Sequence, residues 1–186
     1  QTPSVDKKSL GQWLSYLESI HPSAIDMGLE RVKDVANAMS LNLSESLVIT
    51  VAGTNGKGTT CRLLEQSLLS QGKTVAVYSS PHLIDYCERV RINGELAQQQ
   101  AFVDAFEFIE NARGDITLTY FEFSTLAAMK MMQDWQVDIA ILEVGLGGRL
   151  DATNIIDPDL AVITTIDLDH QDWLGNTREK IAREKA

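Results

Sequence analysis

The sequence predicts an α/β fold, a mainly parallel sheet flanked by helices. Three observations carry that reading. Short apolar runs rich in β-branched residues recur at 47–52, 74–78, 137–143 and 160–165. Between them lie longer stretches whose apolar residues fall at helical spacing. The first run passes directly into Gly53-Thr54-Asn55-Gly56-Lys57-Gly58-Thr59 and then into a helical pattern. Strand, glycine turn and helix, in that order, form a cradle for phosphate.

The cradle organises the rest. Glycines let backbone N–H groups approach phosphate oxygens, the helix N-terminus adds its positive partial charge, and Lys57 adds a full one. Thr59 offers a hydroxyl where a nucleotide-bound Mg²⁺ takes an oxygen ligand. The spacing departs from the usual Walker A pattern: Val51 stands where its first glycine would be, and Gly58 separates Lys57 from Thr59. A bare glycine turn before a helix is the bland alternative, but strand, lysine, hydroxyl and helix all fall in the right order. Gly53, Thr54, Asn55, Gly56, Lys57, Gly58 and Thr59 are therefore expected to bind the phosphates of ATP in a P-loop NTPase-like domain. In the helix that follows, the spacing puts Leu63, Leu64, Leu68 and Leu69 on one face.

Composition narrows the class. The chain has 186 residues, 44% of them hydrophobic, enough for one well-packed domain. A net charge of −10 argues against a general nucleic-acid binder, which needs a basic face. It does not argue against ATP, whose phosphates one lysine and Mg²⁺ can neutralise. No long apolar stretch and no leader pattern in residues 1–10 are seen, so a soluble cytoplasmic protein without membrane contact is expected. Cys61 and Cys87 do not make a disulfide framework. Cys61 is read as a small packing residue, although its place near a helix start could lower its thiol pKa.

Taken in order, the chain opens with an amphipathic helix over 9–20, with Leu10, Trp13, Leu14, Leu17 and Ile20 on one face, stopped by His21-Pro22. A turn at Asp26-Met27-Gly28-Leu29 leads to a second helix, to about Ser40, with Leu29, Val32, Ala36 and Met39 inward. Asp26 could cap that helix. Residues 1–46 thus read as a helical cover on a domain spanning 47–186. After the second strand comes Ser79-Ser80-Pro81-His82-Leu83, at the strand end where open α/β sheets place their sites. A lone loop histidine such as His82 is more often structural. Asn93-Gly94, flanked by Arg89–Ile92 and Glu95-Leu96, signals a hairpin, expected as a small flap beside the site, its arginines able to orient an anionic substrate but favoured as a solvated edge. A helix over 98–112 turns Phe102, Val103, Phe106 and Ile109 inward. The next opens at Leu118-Thr119-Tyr120-Phe121-Glu122. Glu122 could complement that helix start. The third strand ends in Glu143, a Walker-B-like arrangement with a carboxylate aimed at Mg²⁺.

Several of these stretches resemble the folylpolyglutamate synthase family, smaller cousins of the Mur cell-wall ligases, and within it the bacterial bifunctional branch. The motifs are GTNGKGT at 53–59, Ser80-Pro81-His82, Glu88-Arg89 with Arg91 and Gly94, the Thr119–Glu122 run, and Glu143 through Asn154 (EVGLGGRLDATN). Asp169-His170, with Leu174-Gly175, and Glu184-Lys185-Ala186 complete them. The resemblance runs from about Trp13 to the last residue. It implies Mg²⁺ near Ser80, Glu143 and His170 together with Thr59, and a carbamylated Lys185 serving a second Mg²⁺. It implies a pterin pocket formed by Asp26, Met27, Gly28 and Leu29, by Thr119, Tyr120, Phe121 and Glu122, and by Leu150, Asp151 and Ala152. It also implies a larger protein, with the rest of the ATPase domain and a glutamate-holding domain beyond residue 186. On that basis the chain alone is expected to be an inactive, N-terminal piece.

The implied reaction is ATP-dependent ligation of L-glutamate to dihydropteroate and to reduced folates through an acyl phosphate, with Lys57, His170 and Lys185 in catalytic roles. The expected partners are small molecules, and the expected state is monomeric. Three rivals remain open at this point. A Mur-type peptide ligase uses the same chemistry, but only 52 residues precede Gly53 here, too few for its upstream domain. A P-loop kinase would phosphorylate a hydroxyl. A nucleotide- or pterin-binding module would catalyse nothing.

Overall fold

The computed structural model describes residues 7–20, 28–145 and 151–165. A six-stranded sheet runs in the order β4-β3-β2-β5-β1-β6. Its strands are β1 (Leu47–Ala52), β2 (Val75–Tyr78), β3 (Val90–Ile92), β4 (Glu95–Leu96), β5 (Ile139–Glu143) and β6 (Leu160–Ile163). β2, β5, β1 and β6 are parallel, and β3 and β4 add an antiparallel edge.

Alternation along the strands divides the core into two layers. Val48, Ala76, Tyr78, Val90, Ala140 and Leu142 face one side, where helices α1 (Leu10–Ser19), α2 (Glu30–Ala38), α4 (Gln99–Arg113) and α5 (Tyr120–Trp135) pack. Ile49, Val51, Val75, Val77, Ile139 and Ile141 face the other, covered by α3 (Lys57–Ser70). The two N-terminal helices bury Leu10, Trp13, Leu17, Val32 and Val35 in the same core as α4 and α5. Phe106 ties these elements together, with its ring against those of Trp13, Tyr86, Phe102 and Phe123.

Two sequence expectations are corrected. In α3 the buried residues are Cys61 and Glu65, while Leu63 is 63% exposed and Leu64, Leu68 and Leu69 are only partly buried. A helix lying on a sheet buries a narrow stripe, and the 3.6-residue period puts positions 61, 65 and 68 on it. The second correction concerns the hairpin. Its turn is as expected, with positive φ at both Asn93 and Gly94, which suits a type I′ connection. It is not a separate flap, however. β3 pairs with β2, Tyr78 opposite Val90, so the hairpin completes the main sheet. The Asn93 carboxamide oxygen accepts the Val75 N–H at 2.9 Å, tying the turn to β2.

Because Phe106 is fully buried against rings from α1 and α5, Phe106→Ala is expected to destabilise the fold by about 3–5 kcal/mol, measured by urea denaturation.

Candidate active site

The phosphate cradle is built by a clamp between β1 and β6. Gly53 has φ +135°, and a Cβ there would lie 1.9 Å from the Thr164 hydroxyl oxygen, so only glycine fits. That hydroxyl donates to the Asn55 carbonyl at 2.7 Å, and the Thr54 N–H donates to the Thr165 carbonyl at 2.8 Å. Gly56, left-handed at φ 82°, caps α3. The first backbone bond into the helix is Thr60 N–H to Gly56 carbonyl at 3.0 Å. The N–H groups of Lys57, Gly58 and Thr59 therefore have no acceptor within the helix, the arrangement by which a helix start can receive an anion.

Lys57 reaches across to β5, its Nζ donating to the Val144 carbonyl at 3.1 Å. Register explains the meeting: Val51 of β1 stands opposite Glu143 of β5. Glu143 is 7% exposed, and its carboxylate makes no hydrogen bond among the described residues. Burial raises its pKa, opposed by the positive charges of Lys57 and Arg91. A buried carboxylate without a donor, beside a lysine and a helix N-terminus, suits a divalent cation accompanied by phosphate. Thr59, exposed in the first turn of α3, and half-buried Ser80, two residues past β2, lie at the same end of the sheet. Among the described residues no three His, Cys, Asp or Glu side chains form a metal cluster. His170 and Lys185 lie outside the described residues.

A second group gathers beside this one. Asp151 is buried and accepts from the Gly145 N–H at 2.7 Å and from the Thr153 N–H and hydroxyl, both at 2.9 Å. Burial pushes its carboxyl up against those bonds. A Cβ on Gly145 would meet Asp151 Oδ2 at 2.6 Å and Phe121 at 3.3 Å, so Gly145 lets the α5 start and the 151–155 turn approach the end of β5. Ala152 is buried there too. At the head of α5, Thr119 and Glu122 form a reciprocal capping box: Glu122 N–H to the Thr119 hydroxyl at 3.1 Å, Thr119 N–H to Glu122 Oε1 at 2.8 Å. Arg31 of α2 pairs with Glu122 at 3.1 Å, which brings the start of α2, next to Gly28 and Leu29, to the same place. The Thr119–Glu122 and 151–152 segments thus meet at Gly145, and α2 reaches the first of them through Arg31; Asp26, Met27 and Leu150 lie outside the described residues. Glu122 occupies its acceptors with Arg31 and Thr119, the helix-start role weighed from sequence.

The hairpin arginines are not on a solvated edge. Arg91 pairs with buried Glu65 of α3 at 3.1 Å. Arg89 is buried and donates from Nε to His82 Nδ1 at 2.8 Å, which assigns the His82 proton to Nε2. Sequence reasoning passed over Arg31, Glu65 and Thr164. An acid on the inward face of a helix, as at Glu65, was the one readable sign, since it demands a cation.

Residues 51–186 match the family model of the Mur ligase middle domain. The chain belongs to that family. Relatives include the dihydrofolate synthase/folylpolyglutamate synthase of Escherichia coli, 58% identical over 177 residues, and that of Haemophilus influenzae, also 58% identical. The alignments cover 95% of this chain in both, and 42% and 40% of those proteins. The fold matches E. coli FolC in complex with DHPP and ADP, with TM-score 0.90 and 57% identity over 96% of this chain and 43% of that one. It also matches the bifunctional enzyme of Yersinia pestis with AMPPNP and Mn ion, with TM-score 0.89 and 56% identity over all of this chain and 45% of that one. The chain thus spans less than half the length of these relatives. Among the described residues no helix is long and apolar enough to cross a membrane.

Cys61 sits inside the P-loop helix with its thiol pushed up to about 12, chiefly by burial, and Cys87 is raised to about 11 for the same reason. A raised folded pKa keeps the proton on sulfur, and the thiolate is the reactive form. Neither thiol should react with iodoacetamide at pH 8 in the folded protein, and both should react in urea; mass spectrometry of the labelled chain reads this directly.

Proposed function

We propose that this chain forms the ATP- and pterin-binding part of a ligase that adds L-glutamate to dihydropteroate and to reduced folates. The observation that carries the reading is the meeting of two sites at one end of one sheet. The phosphate cradle with Lys57 and Glu143 stands beside the Phe121, Asp151 and Ala152 cluster, joined through Gly145. The E. coli relative named for both synthase activities, and the FolC complex with DHPP and ADP, support the assignment of the two sites.

The chemistry follows from the substrate. A carboxylate does not react with an amine because its oxygen leaves poorly. Transfer of the γ-phosphoryl group from ATP makes an acyl phosphate, and attack by the glutamate amine then expels phosphate. Lys57 and the free N–H groups at the start of α3 hold the transferring phosphate and its growing charge. Thr59, Ser80 and Glu143, with His170, would hold Mg²⁺, and a carbamylated Lys185 would serve a second ion. Bound there, the ions neutralise phosphate charge and orient the carboxylate. The Phe121 ring and Asp151 would fix the pterin, with Leu29 and Ala152 closing the pocket. Working on small molecules as a monomer in the cytoplasm accords with the acidic balance and with two buried free thiols.

Lys57→Ala in the full-length protein should lower turnover by roughly two to three orders of magnitude, the scale of losing one preorganised charge on a transferring group. Thermal stability should barely change. The assay follows phosphate release and product mass with ATP, dihydropteroate and glutamate. Turnover of a hydroxyl acceptor instead would point to a kinase, and undiminished ligation by the variant would remove the phosphate site from Lys57.

A further inference from the structure

Among the described residues Arg89 is the only buried cation, 9% exposed, and no carboxylate pairs with it. An unpaired buried charge is expensive, so its surroundings must compensate or a ligand must. Those surroundings are neutral. The guanidinium lies 5.2 Å from the centroid of the Tyr86 ring and 5.7 Å from that of Tyr120, and it is close enough to the Tyr78 hydroxyl to interact. Aromatic faces favour a cation but satisfy none of its N–H donors in the plane. Nε is spent on His82 at 2.8 Å, a bond that also sets the plane of the fork. One terminal N–H meets the Tyr78 hydroxyl, and the outer pair of terminal N–H donors has no acceptor among the described residues.

Their location gives them a use. Arg89 immediately precedes β3, and its carbonyl accepts the Ser79 N–H at 2.9 Å, next to Ser80. Tyr120 belongs to the Thr119–Glu122 segment, and Tyr78 packs against Phe121 with ring centroids 6.3 Å apart. Tyr78 also feels the charge of Asp151 as well as that of Arg89. The arginine fork therefore stands one ring, that of Tyr78, from the Phe121–Asp151 pocket.

We propose that Arg89 binds the acceptor edge of the pterin, its ring carbonyl together with the adjacent ring nitrogen N5, by two parallel N–H bonds. This rests on the reading of that pocket as a pterin site. A guanidinium fork matches two neighbouring in-plane acceptors, the geometry with which arginine reads the carbonyl and ring nitrogen of guanine. The match depends on oxidation state. In 7,8-dihydropteroate N5 is an imine nitrogen with an in-plane lone pair; in tetrahydropteroate N5 carries a hydrogen and can no longer accept from that donor. Arg89 is thus a specificity residue that favours the dihydro form.

The test compares Arg89→Lys and Arg89→Met with the wild type in the full-length protein. Affinities for 7,8-dihydropteroate and tetrahydropteroate are measured by pterin fluorescence, that for ADP by calorimetry, and folding by thermal denaturation. Arg89→Lys keeps the charge but not the fork. Both variants should lose roughly tenfold to a hundredfold in affinity for dihydropteroate. They should lose only a few-fold for tetrahydropteroate and nothing for ADP. Equal losses on the two pteroates, or no loss on either, would overturn the assignment. A folded wild-type protein that binds ADP but neither pteroate would instead overturn the pterin reading of the pocket.

Discussion

The pairing of β1 with β5, Val51 opposite Glu143, is the constraint on which the site depends. Parallel pairing aligns the C-terminal ends of both strands, so the glycine turn that leaves β1 comes out beside the carboxylate that ends β5. Lys57 then needs to span only the gap to the Val144 carbonyl. β6 on the other flank of β1 completes the arrangement, since the Thr164 hydroxyl and the Thr165 carbonyl hold the turn by Asn55 and Thr54. A cradle held from both sides cannot relax around an ion or a phosphate, and it loses little freedom when one arrives.

The same end of the sheet concentrates charge that is largely withdrawn from water. Glu143 and Asp151 are both buried, and burial is the chief force raising their pKa values. Asp151 recovers part of that cost through three donors, whereas Glu143 has none among the described residues. Glu65 is different: Arg91 answers it on both oxygens, so it locks α3 against the hairpin rather than waiting for a ligand. Where a buried charge has its partner, the role is architectural. Where no oppositely charged partner stands among the described residues, at Glu143 and Arg89, the side chain is a candidate to meet a ligand.

Gly145 shows how small a feature joins the two halves. Its missing side chain leaves room for Asp151 and Phe121 at the tip of the strand that carries Glu143. The Phe121–Asp151 cluster and the glycine turn that opens α3 are thereby only a residue or two apart along β5. The proposed ligation would need this proximity, because the carboxylate to be activated must meet the γ-phosphoryl group, and positioning accounts for much of such a rate.

Local chemistry by itself determined the strands, the P-loop, the I′ hairpin and the aromatic face of α4. Each depends on residues a few positions apart: β-branched runs for the strands, Gly56-Lys57 before a helix, positive φ at Asn93-Gly94. Only the tertiary structure decided which charges are shared. Arg31 and Glu122, Arg91 and Glu65, Gly145 and Asp151, or Gly53 and Thr164 meet through packing of elements far apart in the chain. No local pattern records such partners, because a side chain's role there is set by what removes its water. That is why Arg89 and Arg91, two residues apart in one hairpin, looked alike in the sequence. In the fold Arg91 is neutralised under α3, while Arg89 lies among tyrosines with no carboxylate partner among the described residues.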